Sequence, residues 1–433
     1  MTDRYVVHLG LGAFARSHTA WYTRHTGWRM IGFTGRGPGV ARLLSRHGGA
    51  YHVLTRHPDH DAAERVEVLA GVHVGADLAA WLEACASPST HVVTVTVTEK
   101  GYRLTPSGSL DLDDADVRAD VELLRTAPFG APARTAPGRL AQGLLARADR
   151  APDAPVAVVG CDNLRGNGRL AERAVLGMLE AVPGRSEWVR GNVGFVSSMV
   201  DRITPAATPE DLAQVRALTG VDDPAAVVAE PFAEWVLDDA FPAQRPRWEV
   251  AGAVLTSQVA GHELRKLLVL NGAHTLLAHT GLLKDVRTVA GAIARPELLE
   301  LLTAWWQAVR PLLPFPAPEV DAYERAVLER FRNARIEHRL TQIATDAAEK
   351  LRVRVLPLLN GNAVEQVVVE QLAAWIACWR AGVAPDDPLG PRLARAARGV
   401  PQEAAARMLA LLDPALADDH DLRTRVGDRL RDF

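Results

Sequence analysis

The sequence predicts an α/β protein with an N-terminal Rossmann-like domain and a mainly α-helical C-terminal domain. In the first part of the chain, short β-rich apolar runs alternate with stretches of helical spacing, as in a doubly wound parallel sheet. A Gly-x-Gly turn at Gly10 and Gly12 joins the first run to a helix. Beyond residue 256 the apolar residues recur almost only with a helical period. We therefore predict domains at 1–256 and 257–433.

The composition is that of a globular protein with a large core. The chain has 433 residues, 48% of them hydrophobic and 23% charged. Its net charge of −3 argues against nucleic acid or an anionic membrane as a partner. Three widely spaced cysteines favour neither a disulfide framework nor a zinc site, and we expect no metal. The sequence shows neither a signal peptide nor an apolar run long enough to span a membrane, so we expect a cytoplasmic protein.

The individual elements follow from the same patterns, taken in chain order. Apolar β-rich runs predict strands at 5–9, 28–33, 66–69, 91–98 and 155–160. Helical spacing predicts helices at 14–26 and 40–46, and then at 256–283, 296–313, 321–332, 337–356 and 364–381. Polar residues follow several of the strands, and in open α/β sheets the chemistry lies at such strand ends.

The turn after the first strand fits a dinucleotide-binding fingerprint. Gly10, Gly12, Ala13 and Phe14, followed by Ala15, match the form G-x-G-x-x-A. Glycines there let the backbone approach a pyrophosphate at a helix N-terminus. A tight turn without a ligand is the alternative, although the strand before the motif and the helix after it favour the nucleotide.

The second strand ends without the acidic residue that usually binds the ribose of NAD. Arg36 follows instead, where it would stack on adenine or pair with a 2′-phosphate. A solvated loop arginine is an equally good interpretation. The residues therefore leave NAD and NADP both open.

The segment 262–274 is the most informative stretch of the chain. On a regular helix, Lys266, Glu263, His274 and Asn271 fall on one arc, surrounded by leucines. A lysine buried in such a place has its ammonium form disfavoured, which lowers its pKa and suits it to be a general base. A structural Lys-Glu pair inside a helical bundle is the alternative.

Two further clusters supply groups that an alcohol-carbonyl interconversion needs. Asn163 follows the predicted strand 155–160, and Asp201 with Arg202 places an acid and a base between apolar residues. Amide donors such as Asn163 stabilise a developing oxyanion. Each cluster taken separately is also compatible with a turn or a salt bridge.

Taken in order, these motifs resemble the mannitol dehydrogenase family, the polyol-specific long-chain dehydrogenases and reductases that include fructuronate reductases. The resemblance covers almost the whole chain. It rests on VHLGLGAF at 7–14, TVTEKGY at 96–102, CDNL at 161–164, the run from Met199 to Pro205, the K-x4-N-x2-H spacing at 266–274, and Lys350.

The resemblance implies hydride transfer with NAD and without a metal, in a cleft between the two domains. It implies the following roles: Lys266 as the base, Asn163 and Asn271 at the oxyanion, His274 and Lys350 at the substrate, Asp201 as an active-site acid, Glu263 and Glu99 in proton passage, and Thr98 in the cofactor loop. It also implies a monomer.

The substrate class that we expect is a linear polyol and its 2-ketose, of the mannitol and fructose type. Gln342 is the residue that fructuronate reductases often show at its position, which favours the uronate instead. Arg354 and Lys350 would then bind the carboxylate. An NAD-binding regulator without catalytic activity is the alternative from another class, although the intact Lys266 and Asn163 argue against it.

Overall fold

The computed structural model describes residues 4–35, 37–98, 100–180, 182–360 and 365–433. The chain divides into two compact units, Met1–His262 and Glu263–Phe433. The first is built around a parallel sheet and the second is almost entirely helical, so the predicted fold class is confirmed. The division after residue 256 stays a prediction. None of the helices in the described ranges is long and apolar enough to cross a membrane.

The first unit contains strands and helices in alternation. Its strands are β1 (Tyr5–Leu9), β2 (Arg29–Phe33), β3 (Tyr51–Arg56), β4 (Asp61–Val66), β5 (Leu69–His73), β6 (Thr90–Val95), β7 (Val156–Gly160), β8 (Val193–Val196), β9 (Ser198–Asp201), β10 (Val227–Ala229), β11 (Glu234–Leu237) and β12 (Val254–Leu255). Its helices are α1 (Ala13–Ser17), α2 (Thr19–Thr23), α3 (Gly39–Arg46), α4 (Leu78–Ala86), α5 (Ala115–Thr126), α6 (Ala136–Arg150), α7 (Asn167–Leu179), α8 (Arg185–Asn192) and α9 (Pro209–Thr219).

The main sheet has the strand order β5-β2-β1-β6-β7-β8, and all of its pairs are parallel. This is the Rossmann order, with β5 in the place of the third strand because β3 and β4 pair elsewhere. Both faces are buried: Val7 and Leu9 pack into one core, while Val6 and Val92 pack into the other. Helices on both faces explain why these strands read as continuous apolar runs.

Two smaller sheets, β10-β3-β4 and β12-β11-β9, complete the first unit. They explain one wrong prediction, the strand at 66–69. Val66 ends β4 and pairs with Tyr51, whereas Leu69 begins β5 and pairs with Met30 in the main sheet. The predicted strand is therefore the end of β4 and the start of β5, joined by the exposed Glu67 and the buried Val68.

The predicted helix at 14–26 is also different, because it is two short helices that meet at His18. His18 has a non-helical backbone, stacks on Phe14 at 4.9 Å between ring centroids, and lies 5.3 Å from the ring of Trp235. Packing of this buried ring against its aromatic neighbours therefore overrides the helical pattern.

The helices that follow are α10 (Val259–Arg265), α11 (Ala273–Leu282), α12 (Val289–Ile293), α13 (Pro296–Val309), α14 (Ala317–Arg332), α15 (Leu340–Ala344), α16 (Ala347–Arg354), α17 (Glu365–Ala381), α18 (Gly390–Ala396), α19 (Pro401–Leu412) and α20 (His420–Arg429). A π-helical segment, Lys266–Gly272, joins α10 to α11. The predicted helix at 337–356 is broken between α15 and α16, where Asp346 has a positive φ of 54°.

Candidate active site

The carboxyl ends of four parallel strands lie side by side in the first unit. Leu9 pairs with Phe33 and Val95, and Val95 pairs with Gly160. The loops that follow these residues therefore emerge at one edge of the sheet, where open α/β folds bind their ligands. The predicted residues from Gly10 to Phe14, Thr98 and Asn163 all follow strands that end at this edge.

The glycine turn is held close to the neighbouring strands. Gly10 has a φ of +96°, and a Cβ there would lie 2.2 Å from the carbonyl oxygen of Thr96, so only glycine fits. At the exposed Gly12, an added Cβ would meet only the Gly10 oxygen, at 3.8 Å. Packing within the protein does not require a glycine at position 12. The backbone of Gly12 is open to a ligand, which fits the pyrophosphate of a dinucleotide. Ala13 and Phe14 follow as the start of α1.

The two other cofactor-side loops are only partly described. Arg36 and Glu99 lie outside the described residues, so their predicted roles stay predictions. Thr98 is exposed, and its carbonyl accepts a hydrogen bond of 2.7 Å from the backbone N–H of Gly101. A Cβ at Gly101 would lie 2.5 Å from that of Val97, so the loop turns tightly here.

Asn163 is exposed in the loop after β7, and the residue before it is anchored on several sides. The hydroxyl of Tyr102 donates to Oδ2 of Asp162 at 2.7 Å, and the N–H of Leu164 donates to Oδ1 at 3.0 Å. Nδ2 of Asn167 donates to the Asp162 carbonyl at 3.2 Å. Burial and the Asp162 carboxylate raise the pKa of Tyr102, so its hydroxyl stays a donor.

Asp201 is buried at the end of β9, where its backbone lies opposite that of Glu234 in the antiparallel strand β11. The guanidinium of the next residue, Arg202, donates to the backbone carbonyls of Ser17 and Glu230. These hydrogen bonds connect the residue after β9 to the last residue of α1 and to the residue that follows β10. An active-site role for Asp201 stays a prediction.

In the second unit, Lys266 and Glu263 are buried and Asn271 is half-buried. The prediction of one regular α-helix was wrong here, because residues 266–272 are π-helical. Hydrogen bonds between residues five apart widen each turn, so the 100° spacing used to place the four polar groups on one arc does not hold.

His274 is buried in α11 against two rings. Its ring centroid lies 4.6 Å from that of Phe331 and 4.7 Å from that of His338. Burial, and next the basic groups of His338, Arg330, Arg354 and Lys266, hold the pKa of His274 well below its usual value. His274 is therefore neutral near pH 7, and its surroundings favour negative charge.

The Nε2 atom of His274 is buried and makes no hydrogen bond within the described part of the chain. Buried polar atoms normally have a partner. An atom of this kind, among positive groups, fits the binding of a polar or anionic ligand.

Lys350 and Arg354 lie on α16. Nζ of Lys350 donates to the carbonyls of Ile343 and Thr345 at 2.9 and 2.6 Å, and Nη1 of Arg354 donates to the hydroxyl of Thr275 at 3.1 Å. This hydrogen bond holds the guanidinium of Arg354 at Thr275, the residue that follows His274. Gln342 is exposed on α15, next to Ile343, and its substrate role stays a prediction.

Sequence reasoning did not predict the contacts that hold the candidate residues in place within each unit. Tyr102, Asp162 and Asn167 hold the Asn163 loop, and Trp305 and Trp306 contact the π-helical segment. The available signal was the polar cluster after β7, which includes Asn167 at the start of α7, but its partner Ser198 is distant in sequence. In the described ranges, no three His, Cys, Asp or Glu side chains are grouped so that they could hold a metal ion.

Comparisons with known proteins agree with this architecture. The family model for the mannitol dehydrogenase Rossmann domain matches residues 4–250, and the model for the mannitol dehydrogenase C-terminal domain matches residues 258–414. The parallel sheet and the helical unit thus define a two-domain protein of Rossmann type. The chain belongs to the mannitol dehydrogenase family, a family of oxidoreductases, and the predicted resemblance is confirmed.

Individual relatives cover most of both chains. D-mannonate oxidoreductase of Escherichia coli (strain K12) is 35% identical over 86% of this chain and 79% of the relative. Mannitol 2-dehydrogenase of Cereibacter sphaeroides is 33% identical over 86% of this chain and 80% of the relative. The solved ternary complex of Pseudomonas fluorescens mannitol 2-dehydrogenase with NAD and D-mannitol has a TM-score of 0.82 at 26% identity, over 99% of this chain and 92% of that one.

Proposed function

We propose that the protein interconverts a linear polyol and its 2-ketose, of the mannitol and fructose type, with NAD as the cofactor and a lysine as the base. The observation that carries the proposal is the buried Lys266 near the buried, neutral His274, whose Nε2 makes no hydrogen bond in the described ranges. A base and a substrate-binding group are thus available together. Relatives named mannitol 2-dehydrogenase support the same reaction class.

The first unit would hold the cofactor. The backbone at Gly12 and the start of α1 at Ala13 and Phe14 would bind the pyrophosphate, since Gly12 is exposed and no packing requires a glycine there. Thr98 lies on the loop after β6, at the same sheet edge, and would contact the cofactor. The bound nicotinamide supplies the hydride acceptor in oxidation and the hydride donor in reduction.

The chain's own groups would move the proton and stabilise the charge. Lys266, as a neutral amine, takes the proton from the substrate hydroxyl while hydride leaves the carbon that carries this hydroxyl. The side-chain amides of Asn163 and Asn271 donate hydrogen bonds to the oxygen as negative charge develops on it. Glu263, three residues before Lys266, passes the proton toward solvent, with Glu99 as its proposed partner.

A second candidate substrate is a keto-uronate, with fructuronate and mannonate as the pair to test. The specific observation is a set of basic groups around His274: after burial, His338, Arg330, Arg354 and Lys266 lower its pKa. Arginine suits a carboxylate because it donates two parallel hydrogen bonds. The relative named D-mannonate oxidoreductase supports this alternative.

The test is NADH and NADPH oxidation by the purified protein with fructose, other 2-ketoses, fructuronate and tagaturonate. Faster turnover of ketoses with NADH supports the first proposal, and faster turnover of uronates supports the second. An Arg354→Leu variant sharpens the choice, because it should raise the KM for a uronate by about tenfold and leave that for a ketose nearly unchanged. Cofactor binding without turnover of any compound would favour a regulator without catalytic activity.

A further inference from the structure

The segment Lys266–Gly272 is π-helical, although its sequence does not require that form. Lysine and leucine, which make up most of the segment, are good α-helix formers, and α-helix continues on both sides in α10 and α11. π-helical turns are rare in proteins and occur often at functional sites. Something outside the segment must therefore stabilise the wider turn.

Two consecutive tryptophans of α13 contact two consecutive carbonyls of this segment. Nε1 of Trp305 donates to the Leu268 carbonyl at 2.8 Å, and Nε1 of Trp306 donates to the Val269 carbonyl at 2.9 Å. Both side chains are buried. An indole N–H is only a donor, and a carbonyl oxygen has two lone pairs, so each carbonyl can accept the indole in addition to a backbone partner.

The end of the segment is shaped to one of these rings. A Cβ at Gly272 would lie 2.4 Å from Cζ2 of Trp305, so the glycine is what allows the indole to approach the backbone. The two hydrogen bonds and this close contact fix the same stretch of backbone from one side. Packing of this kind discriminates between two helical forms that differ in width.

The form of the segment decides where Lys266 and Asn271 point. In an α-helix, residues five apart differ by about 140° around the axis, because each residue turns the chain by about 100°. In a π-helix, hydrogen bonds join residues five apart, so such residues lie nearly above one another. The π form therefore brings Lys266 and Asn271 to the same side of the helix.

We propose that Trp305 and Trp306 are positioning residues, whose indole N–H groups hold the segment in its π form and so align Lys266 with Asn271. The inference rests on the proposed function, because it assumes that Lys266 is the base and that Asn271 stabilises the oxyanion. The tryptophans act through the backbone and do not touch the reacting atoms.

The test replaces each tryptophan with phenylalanine, which removes the N–H and keeps an aromatic ring. Trp375→Phe is the matched control, because Trp375 is fully buried in the same unit and its Nε1 has no hydrogen-bond partner among the described residues. Measurements are kcat, KM, the pH profile of alcohol oxidation, and hydrogen exchange of backbone amides in peptides that cover 266–272.

We expect Trp305→Phe and Trp306→Phe each to lower kcat by about tenfold with little change in KM, since a small misplacement of a reacting group has effects of this size or larger. We expect both to shift the pKa in the pH profile and to speed amide exchange over 266–272. Trp375→Phe should do none of this. If one variant fails to fold, the other carries the test alone.

The inference is overturned if the Trp305 and Trp306 variants match Trp375→Phe in kcat and in the pH profile. Faster exchange over 266–272 with unchanged kinetics also overturns it, because the tryptophans would then only stabilise the fold. Failure of the proposed function gives a different result, namely a wild-type protein without turnover. In that case unchanged exchange over 266–272 in both variants still refutes the role of the indoles.

Discussion

The two compact units present their proposed active-site groups in different ways. In the first unit, Asn163 is on a loop, and its position depends on partners such as Tyr102, about sixty residues away in sequence. In the second unit, Lys266, Asn271 and His274 are on one continuous helical stretch. The difference teaches that a loop group depends on distant residues for its position, whereas groups on a helix depend first on their spacing and only through the form of the helix on distant residues such as Trp305 and Trp306.

The largest expected effect tests the helical side of this comparison. Lys266→Ala should lower kcat by about 10²- to 10⁴-fold, the usual contribution of a positioned general base, and leave NAD binding nearly unchanged. Oxidation by the wild type should rise with pH as the base loses its proton. Burial, together with Arg330 and Lys350, lowers the pKa of His338 to about 4, and the pKa of His274 is also lowered. Neither histidine would therefore cause a rise in the pH profile near pH 6.5.

Lys284→Ala is the control for this variant, because Lys284 is an exposed lysine in the same unit. Steady-state kinetics and fluorescence titration of the cofactor provide the two measurements. A Lys266→Ala protein with near-native kcat would mean that this lysine is structural, and that another group takes the proton.

The features of the candidate site that depend on neighbours in the chain are those that a sequence can predict. The turn at Gly10 and the strand before it could be recognised because a positive φ and an apolar run are local requirements. The spacing of Lys266 and Asn271 was equally local. The π form of the helix between them could not be predicted, because the donors that contact it, Trp305 and Trp306, lie on another helix.

Contacts between residues distant in sequence also account for the errors in the predicted fold. Val66, Val68 and Leu69 are apolar and buried although they belong to two strand ends and their connection, and no window of a few residues distinguishes this from one strand. The break at His18 depends on Trp235, more than two hundred residues away. Contacts between distant residues override local pattern at both places.

A smaller effect tests the loop side of the comparison. Tyr102→Phe removes the hydroxyl that donates to Asp162 and should lower kcat by about tenfold, because the loop that carries Asn163 loses one anchor. In an Asn163→Ala background the same change should have no further effect on kcat, since Tyr102 would act through Asn163. Steady-state kinetics of the four proteins of this cycle measures the coupling.

Tyr51→Phe is the matched control for the loop variant. Tyr51 is a buried tyrosine in the same unit, and its hydroxyl also donates a hydrogen bond of 2.7 Å, to the Arg16 carbonyl. We expect a similar loss of stability without the loss in kcat. Equal kinetic effects of the two variants, or full additivity with Asn163→Ala, would show that Tyr102 contributes stability alone.

The smallest expected effect compares the stability of the two units in acid. Burial lowers the pKa of His8 in the first unit to about 4. In the second unit, burial and then Lys350 lower the pKa of His279 to about 3, and the pKa values of His274 and His338 are lowered as well. Burial also lowers the pKa values of His25 and His91 in the first unit, but His25 is exposed and His91 is half-buried, so we expect them to contribute less than the three fully or largely buried rings of the helical unit.

These histidines predict that the helical unit loses stability first as the pH falls. In the unfolded chain a histidine binds a proton near pH 6.5, whereas the folded protein leaves it neutral to about pH 4 or below. Between these values the unfolded state binds more protons, so stability is complete above about pH 6.5 and falls toward pH 4, by at most about 1.4 kcal/mol per pH unit for each group. Hydrogen exchange at about pH 7.5 and pH 5, corrected for the intrinsic rates, should show a larger loss of protection in peptides from 263–433 than in peptides from 4–262. An equal loss in both units, or a gain in protection at the lower pH, would contradict the prediction.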